Sequence, residues 1–451
     1  MTESTDDLIE RYSYPVPRYT SYPTAPHFHA GINAKTYARW LSHLPADASI
    51  SLYLHVPYCD RLCWFCGCNT KHTLRYEPVA EYLKALHLEI DWVSRQLGGR
   101  GQVTAIHLGG GSPTLLTPVD LLALKTKLTA SFKIATDAEI SIEIDPNDLD
   151  GGRYDAMAQF GLTRASLGVQ DFDPQVQRAI NRQQTLEQTY AVVEAMRRRG
   201  VRSINLDLLY GLPFQSETRL ARTIDAGLGL DPDRIALFGY AHVPWMKPHQ
   251  KMIPDSALPD RHERLVQSQM AAQQLKAGGL TPIGFDHFAK PSDSLAEAAR
   301  NGRLRRNFQG YTDDAADALI GLGASSIGSL PQGYVQNISG SGDYSKAVLA
   351  SGVAIAKGFA LSSSDKLRRH AIETLLCTFR LTARDVAGYG AAGRALLREA
   401  EAIAMTDQDG VTTMQDGSFV ITERGRPFVR AIAARFDTYL GSSTTRHSLA
   451  V

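Results

Sequence analysis

At 451 residues, with 43% hydrophobic and 21% charged residues, the chain has the composition of an ordinary soluble globular protein and is long enough for two or three structural units. Its 48 Lys and Arg against 47 Asp and Glu leave a net charge of +1, which excludes bulk attraction to nucleic acid or to an anionic membrane. Four of the five cysteines crowd between positions 59 and 68, which argues against a disulfide framework; the acidic start has no signal-like apolar stretch, no apolar run reaches about 18 residues, and a cytoplasmic protein without a membrane span is expected.

In chain order, the first element is proline-rich. Between Tyr12 and His27, Pro15, Pro17, Pro23 and Pro26 forbid a helix and favour an extended path, so residues 1–35 read as an extended arm. Such an arm either packs on the outside or lies as a strap across a site, with Arg18 offering a two-pronged donor to an anionic ligand.

From residue 50 onward apolar runs alternate with amphipathic stretches. Strands are predicted at 50–56, 103–108, 139–145, 163–170, 201–208 and 234–241. The best helix is 77–97, with Val79, Leu83, Leu86, Ile90, Val93 and Leu97 on one face and Glu81, Lys84 and Glu89 elsewhere on its surface. This alternation predicts an α/β fold in which a parallel sheet is covered by helices, a partial (β/α)6 TIM-like barrel over 36–350. Such folds place their sites at the C-terminal ends of the strands, and the unusual residues fall there.

The most unusual is the segment Cys59-Asp-Arg-Leu-Cys63-Trp-Phe-Cys66-Gly-Cys68, directly behind the first strand. Three thiolates at CxxxCxxC spacing can fold back onto one metal centre, because soft sulfur ligands suit iron-sulfur clusters or zinc. Structural zinc normally has four protein ligands in two pairs, and no second pair follows downstream. Three cysteines on a 4Fe-4S cluster leave one iron open to a small molecule. The competing readings are a zinc knuckle completed by Cys68 or His55, or a group of reduced surface thiols.

Gly109-Gly110-Gly111-Ser112-Pro113-Thr114 follows the second strand, where glycines let backbone approach a ligand or merely serve a tight turn. It is not GxGxxG, so no dinucleotide site is read. Glu143, Gln170, Arg182 and Asp207 lie at or near later strand ends. Singly they read as rim residues or ion-pair partners; together they suit a zwitterionic nucleoside, with a carboxylate for an amino group, an arginine for a carboxylate, and Asp with Gln for ribose hydroxyls.

Beyond residue 350 the texture changes. Leu367, Ala371, Leu375 and Phe379 form an apolar helical face, on which Cys377 reads as core; a second helix is predicted near 392–404, a hairpin around Asp416-Gly417 and a closing helix from Phe428 to Tyr439. Residues 351–440 thus read as a helical, winged-helix-like unit. Its nearly balanced charges favour a structural lid over DNA binding, and the Ser- and Thr-rich tail, 441–451, is expected to be disordered.

The cysteine loop and the triple glycine resemble those of radical S-adenosylmethionine enzymes. More narrowly, Pro17-Arg-Tyr-Thr-Ser-Tyr-Pro23, CxxxCxxCGC with Cys68, Gly109–Thr114, Gly284-Phe-Asp-His-Phe288 and Asn307-Phe-Gln-Gly-Tyr-Thr312 resemble the oxygen-independent coproporphyrinogen III oxidases, over nearly the whole chain. The resemblance implies a barrel of the radical S-adenosylmethionine type and a 4Fe-4S cluster held by Cys59, Cys63 and Cys66, with Cys68 close by but not a ligand. It implies two S-adenosylmethionine molecules, contacted by Tyr53, Phe65, Gly110, Gly111, Ser112, Glu143, Gln170, Arg182, Asp207, Ala241 and Ile327, with Phe308 and Gln309 as further candidates. Ser112 stands where the family often has Thr, and keeps the hydroxyl. The implied reaction turns two propionates of coproporphyrinogen III into vinyl groups, giving protoporphyrinogen IX, in a monomer fed by an electron donor such as flavodoxin or ferredoxin. The rival functions on this scaffold are a haem-binding chaperone, against which Cys68 and the Pro17–Pro23 arm speak, and a radical methyltransferase or haem-degrading relative.

Overall fold

The computed structural model describes residues 5–147 and 149–441; the predicted disordered tail therefore lies, but for Gly441, outside the described residues. Twelve strands form one open sheet. In chain order they are β1 (Ser49–Val56), β2 (Gln102–Gly110), β3 (Ile134–Ile144), β4 (Arg164–Gln170), β5 (Ser203–Tyr210), β6 (Arg234–Gly239), β7 (Thr281–Ile283), β8 (His287–Ala289), β9 (Ala318–Leu322), β10 (Ile327–Leu330), β11 (Gly333–Asn337) and β12 (Ile355–Ala360).

β1 to β6 are the six predicted barrel strands, and they pair in parallel in that order. Ile50, Leu52, Leu54 and Val56 of β1 are buried, and so are Ser51 and His55 on its other face. Burial on both faces is what a parallel strand under helices requires. The sheet also runs past the predicted six: β9 adds a seventh parallel strand beside β1, and β10, β11 and β12 continue it in antiparallel fashion. At the other edge β8 pairs antiparallel with β6, and β7 with β8. β7 to β10 are three to five residues long, too short for alternation to be read from the sequence.

The helix Glu77–Leu97 spans the predicted residues; it carries Pro78 in its first turn and stops at Gly98, whose φ of 58° is the left-handed conformation glycine adopts freely. All six predicted core residues on it are buried. At about 1.5–3 kcal/mol per aliphatic side chain, that face contributes on the order of 10 kcal/mol before chain entropy is counted. Glu89, predicted on its surface, is instead fully buried. It accepts from Gly323 N (2.7 Å), Asn337 Nδ2 (2.6 Å) and Tyr344 OH (2.6 Å). The turn after β9 and the helix Ser341–Ser351 bring donors there, and a buried donor needs an acceptor.

The arm is not extended throughout. Thr5–Tyr12 is helical, since no proline occurs before Pro15, and Arg11 complements the dipole in its last turn. The extended part follows, and Leu8, Ile9, Val16, Tyr19 and Tyr22 pack into one core with Leu367, Leu375, Phe419, Phe428 and Phe436 of the C-terminal part. There the helices Ser363–Thr378 and Gly390–Met405 precede a hairpin of Thr412–Gln415 and Ser418–Ile421, turning at Asp416 (φ 50°) and Gly417 (φ 70°). The predicted closing helix is broken: only Val429–Ala433 is α-helical, flanked by single 3-10 turns at Arg426–Phe428 and Ala434–Phe436.

Candidate active site

The cysteine loop leaves β1 at its C-terminal end and is closed by a two-residue parallel bridge in which Tyr58 faces Lys71 and Cys59 faces His72. Between those points side chains from distant parts of the chain capture its backbone carbonyls. Asn181 Nδ2 donates to Leu62 O (2.8 Å), Gln250 Nε2 to Phe65 O (2.9 Å), His249 Nε2 to Cys66 O (2.8 Å) and Lys247 Nζ to Cys68 O (2.7 Å). The Trp64 amide is taken by Ile180 O at 2.9 Å. A loop with few apolar residues of its own is thus held by donors from the segments after β4 and β6.

Cys63 is buried, Cys59 and Cys66 are half-buried, and Cys68 is exposed. Burial, then the sulfurs of Cys66 and Cys63, push the Cys59 thiol up to about 12. Burial also pushes up Cys63, against the pull of the Arg182 guanidinium, whose Nη1 lies 3.6 Å from its sulfur. Cys66 goes the other way, to about 6, because the Cys68 thiol and amide both hydrogen-bond its sulfur, the amide at 3.4 Å. The three spaced cysteines therefore feel one another's charge, and Cys68 supplies an N–H···S contact of the kind that tunes iron-sulfur ligands. His55 is excluded as a zinc ligand by its partners: Nε2–H donates to Asn69 O (3.0 Å), which fixes the tautomer, and Nδ1 accepts from Tyr53 OH (3.0 Å). Among the described residues no three Cys, His, Asp or Glu groups converge on a single ion. Three soft sulfur donors on one loop, with the Cys59 thiol feeling the charge of Cys66 and Cys63, fit the irons of a cluster.

The glycine run is required by packing within the protein. A Cβ on Gly109 would stand 2.7 Å from Glu143 Oε1, one on Gly110 (φ 108°) 2.5 Å from the His55 ring, and one on Gly111 2.5 Å from Tyr58 O. The glycines let the base of the cysteine loop and Glu143 close on the end of β2. Their amides are used within the protein: Gly110 N donates to Glu143 Oε2 (2.9 Å), Gly111 N to Val56 O (2.8 Å) and Ser112 N to Tyr58 O (2.7 Å). Ser112 is buried with its hydroxyl 3.1 Å from that of Thr114.

Glu143 Oε1 lies 3.2 Å from His107 Nε2, and the His107 ring stacks on Tyr53 at 5.7 Å. Burial would raise the Glu143 carboxyl, but His107 and the Gly110 amide outweigh it and hold the group below its ordinary range. Asp207 is the opposite case: burial, then the charge of Glu143, push it up to about 6, although Asn205 Nδ2 (2.8 Å) and Ser166 Oγ (3.0 Å) donate to it. Two carboxylates on β3 and β5, either side of β4, thus sit on opposite sides of the ordinary carboxyl range.

Arg182 does not stand free. It is buried in an ion pair with Asp145 (3.1 Å), donates to Gly168 O, and touches Cys63. A Cβ on Gly168 would meet both Arg182 Nη2 and Gln170 Nε2, so Gln170, held at φ 68°, joins that group. Phe65 and Ala241 are tied together through Gln250, which donates to both carbonyls, at 2.9 and 3.2 Å. The Ile327 backbone packs on Gly321, the residue paired with Tyr53. The structure therefore brings Tyr53, Gly110, Glu143 and Asp207 together, places Arg182 beside Cys63 with Gln170 beside Arg182, and links Phe65 to Ala241 through Gln250.

Beside this group opens a cavity of about 1680 Å³, lined by Cys68, Ala241, Phe308 and Gln309, by Arg18 of the arm, and by Arg430 of the C-terminal part. That is larger than the usual small-ligand pocket of about 300–1,000 Å³. The arm is therefore a strap: Tyr14, Pro15, Pro17 and Arg18 line the cavity while Tyr19 OH is anchored on Asp437 (3.0 Å). Sequence reasoning missed His107, Lys247, His249, Gln250, Arg264 and Asp286. Residues 242–250 carried a signal, Pro244 and Pro248 in a stretch with no apolar period, too irregular for any element; the others are single residues whose role depends on what lies across the sheet.

Residues 53–226 match the model of the radical SAM superfamily. Over 97% of both chains the protein is 48% identical to an oxygen-independent coproporphyrinogen III oxidase of Bradyrhizobium diazoefficiens. It is 46% identical to that of Paracoccus denitrificans, over 97% of this chain and 96% of the relative. Among solved structures, coproporphyrinogen III oxidase (HemN) from Escherichia coli, described as a radical SAM enzyme, superposes with a TM-score of 0.90 at 36% identity, covering 97% of this chain and 99% of its own. With cysteine loop, strand ends and cavity in the arrangement set out above, the chain belongs to the oxygen-independent coproporphyrinogen III oxidase family of radical SAM enzymes.

Proposed function

We propose that the protein converts two propionate side chains of coproporphyrinogen III to vinyl groups without oxygen, giving protoporphyrinogen IX for haem synthesis. The observation that carries this reading is the three-cysteine loop at the end of β1 opening, at Cys68, into a cavity of about 1680 Å³. Each propionate gives up a hydrogen atom, CO2 and one electron. Cys59, Cys63 and Cys66 would hold a 4Fe-4S cluster, which with S-adenosylmethionine supplies the hydrogen-abstracting radical. The chain's own residues bind, orient and exclude water. Gln250, His249, Lys247 and Asn181 keep the thiols in place, and Arg182 lays positive charge beside Cys63. The strap and the C-terminal part form much of the cavity wall and narrow the access of solvent to it.

Two S-adenosylmethionine molecules fit this proposal, contacted by Tyr53, Phe65, Gly110, Gly111, Ser112, Glu143, Gln170, Arg182, Asp207, Ala241 and Ile327. The working division of the chain is an arm (1–35), a barrel (36–350) and a C-terminal unit (351–440) whose first strand, β12, completes the sheet. A monomer supplied by flavodoxin or ferredoxin in the cytoplasm completes the reading; no helix among the described residues is long and apolar enough to cross a membrane. The test is anaerobic incubation with coproporphyrinogen III, reductant and S-adenosylmethionine. Two vinyl groups and CO2 are expected; tight haem uptake without turnover, or transfer of a methyl group, would overturn the proposal. Cys63→Ala should lose both cluster absorbance and deoxyadenosine release.

A further inference from the structure

The cavity wall at the end of β6 gathers positive charge that the ion pairs of the fold do not neutralise. Arg18 reaches in from the arm and donates from Nη2 to the Gly239 carbonyl at 3.2 Å. Arg264 comes from the other side, from the helix Arg261–Ala277; it packs over the Tyr210 ring at 5.7 Å, and its Nη2 would stand 3.2 Å from a Cβ on Gly239. Two guanidiniums thus stand at one glycine, Arg18 on its carbonyl and Arg264 where, with Tyr210, a side chain would be. Among the described residues neither has a carboxylate within ion-pair distance.

Asp286 is the carboxylate whose charge acts on Arg18, yet it is already engaged. It lies 3.6 Å from Arg306 Nη2 and 2.6 Å from His287 Nδ1. Arg306 is itself clamped between the rings of Phe285 and Tyr311, at 4.7 and 4.6 Å, so the sequence motifs 284–288 and 307–312 meet here. Burial and then the charge of Arg18 pull the buried Arg430 down to about 10, and burial together with Arg306 and Arg264 lowers Arg18. Like charges held together at a partly buried wall are unfavourable until an anion arrives. Arg18, Arg264, Asp286, Arg306 and Arg430 all line the cavity that Cys68 lines.

We infer that Arg18 and Arg264 form a clamp for a carboxylate of the substrate, holding a propionate that is not reacting while another faces the cysteine loop. Arg306 and Asp286 are positioning residues behind the clamp. The inference rests on the proposed activity, since a tetrapyrrole with four propionates is what would need such a clamp. It also explains why the strap carries an arginine: with the arm displaced, half the clamp is gone.

The test uses the anaerobic, cluster-loaded enzyme and two probes on one ring, coproporphyrin III and its tetramethyl ester. Wild type should bind the acid at least about tenfold more tightly than the ester, as charge-assisted contacts require. Arg18→Leu and Arg264→Leu should each weaken the acid about tenfold and leave the ester unchanged, with cluster absorbance and the KM for S-adenosylmethionine as in wild type. Arg264→Lys, which keeps the charge without the two-pronged geometry, serves if the leucine variant loses its cluster, and should retain part of the preference. Variants that keep the full preference for the acid while producing vinyl product overturn the clamp and leave the activity standing. A wild type that shows the preference but makes no vinyl product sinks the activity and leaves the clamp.

Discussion

Gln250 is the residue through which the segment after β6 holds the cysteine loop, and Gln250→Leu tests that arrangement at nearly constant volume. Its side chain is fully buried. Nε2 donates to Phe65 O (2.9 Å) and Ala241 O (3.2 Å), while Oε1 accepts from Val243 N (2.6 Å). Leucine removes all three bonds. The three backbone partners are only half-buried, so water can reach them and the full penalty of an unmet buried group does not apply. At about 1 kcal/mol for each bond the loss is about 3 kcal/mol. It falls on local opening of residues 59–72, because the sheet and both large cores are untouched. At 1.4 kcal/mol per factor of ten, the loop should open on the order of a hundredfold more often. The assay is loss of cluster absorbance under a chelator, with amide exchange across 59–72 as the direct readout and the melting temperature as control. If Gln250→Leu resists the chelator and exchanges as slowly as wild type, the latch does not hold the loop.

Gly110→Ala places a Cβ 2.5 Å from His55 at φ 108°, whereas Gly67→Ala in the cysteine loop meets nothing within 4 Å; the first should fail to accumulate as folded protein and the second should behave as wild type, in thermal melts of the purified chains. Glu89→Gln replaces an acceptor of three donors by an amide that must face one of them with its NH2, and should lower stability in urea by about 2 kcal/mol. Asp207 gives a pH signature. Its carboxyl, at about 6 in the folded chain against 3.8 ordinarily, favours the protonated fold. Its contribution to stability is therefore lost as pH rises from about 4 to about 6, by up to about 3 kcal/mol before solvent screening reduces it. Asp207→Asn should remove that slope from the urea midpoints; an unchanged slope would refute the assignment.

The barrel strands were legible because their signal is local: Ile50 to Val56 and Ile140 to Ile144 are apolar runs bounded by turns. The short strands β7 to β10 were not, since three to five residues cannot display a period. Glu89 was misread for a related reason. Its helix shows one apolar face, and nothing along that helix announces that Tyr344 and Asn337 cover the flank of that face on which Glu89 stands. The broken closing helix follows the same rule, for Phe428 and Phe436 are held by a core contributed in part by the arm.

By itself the sequence determined the α/β repeat, the loop bearing Cys59, Cys63, Cys66 and Cys68, and the strand ends on which Glu143 and Asp207 stand, because spacing and periodicity are properties of neighbours along the chain. Tertiary structure alone decided that Arg182 is paired with Asp145, that the glycines serve packing on His55 and Tyr58, that Lys247, His249 and Gln250 hold the loop, and that Arg18 meets Arg264 over Gly239. Apart from Arg264 against Gly239, each of those is a contact between residues 37 to 221 positions apart. The polarity of a side chain is written in the sequence, but the partner that sets its charge is chosen by the fold.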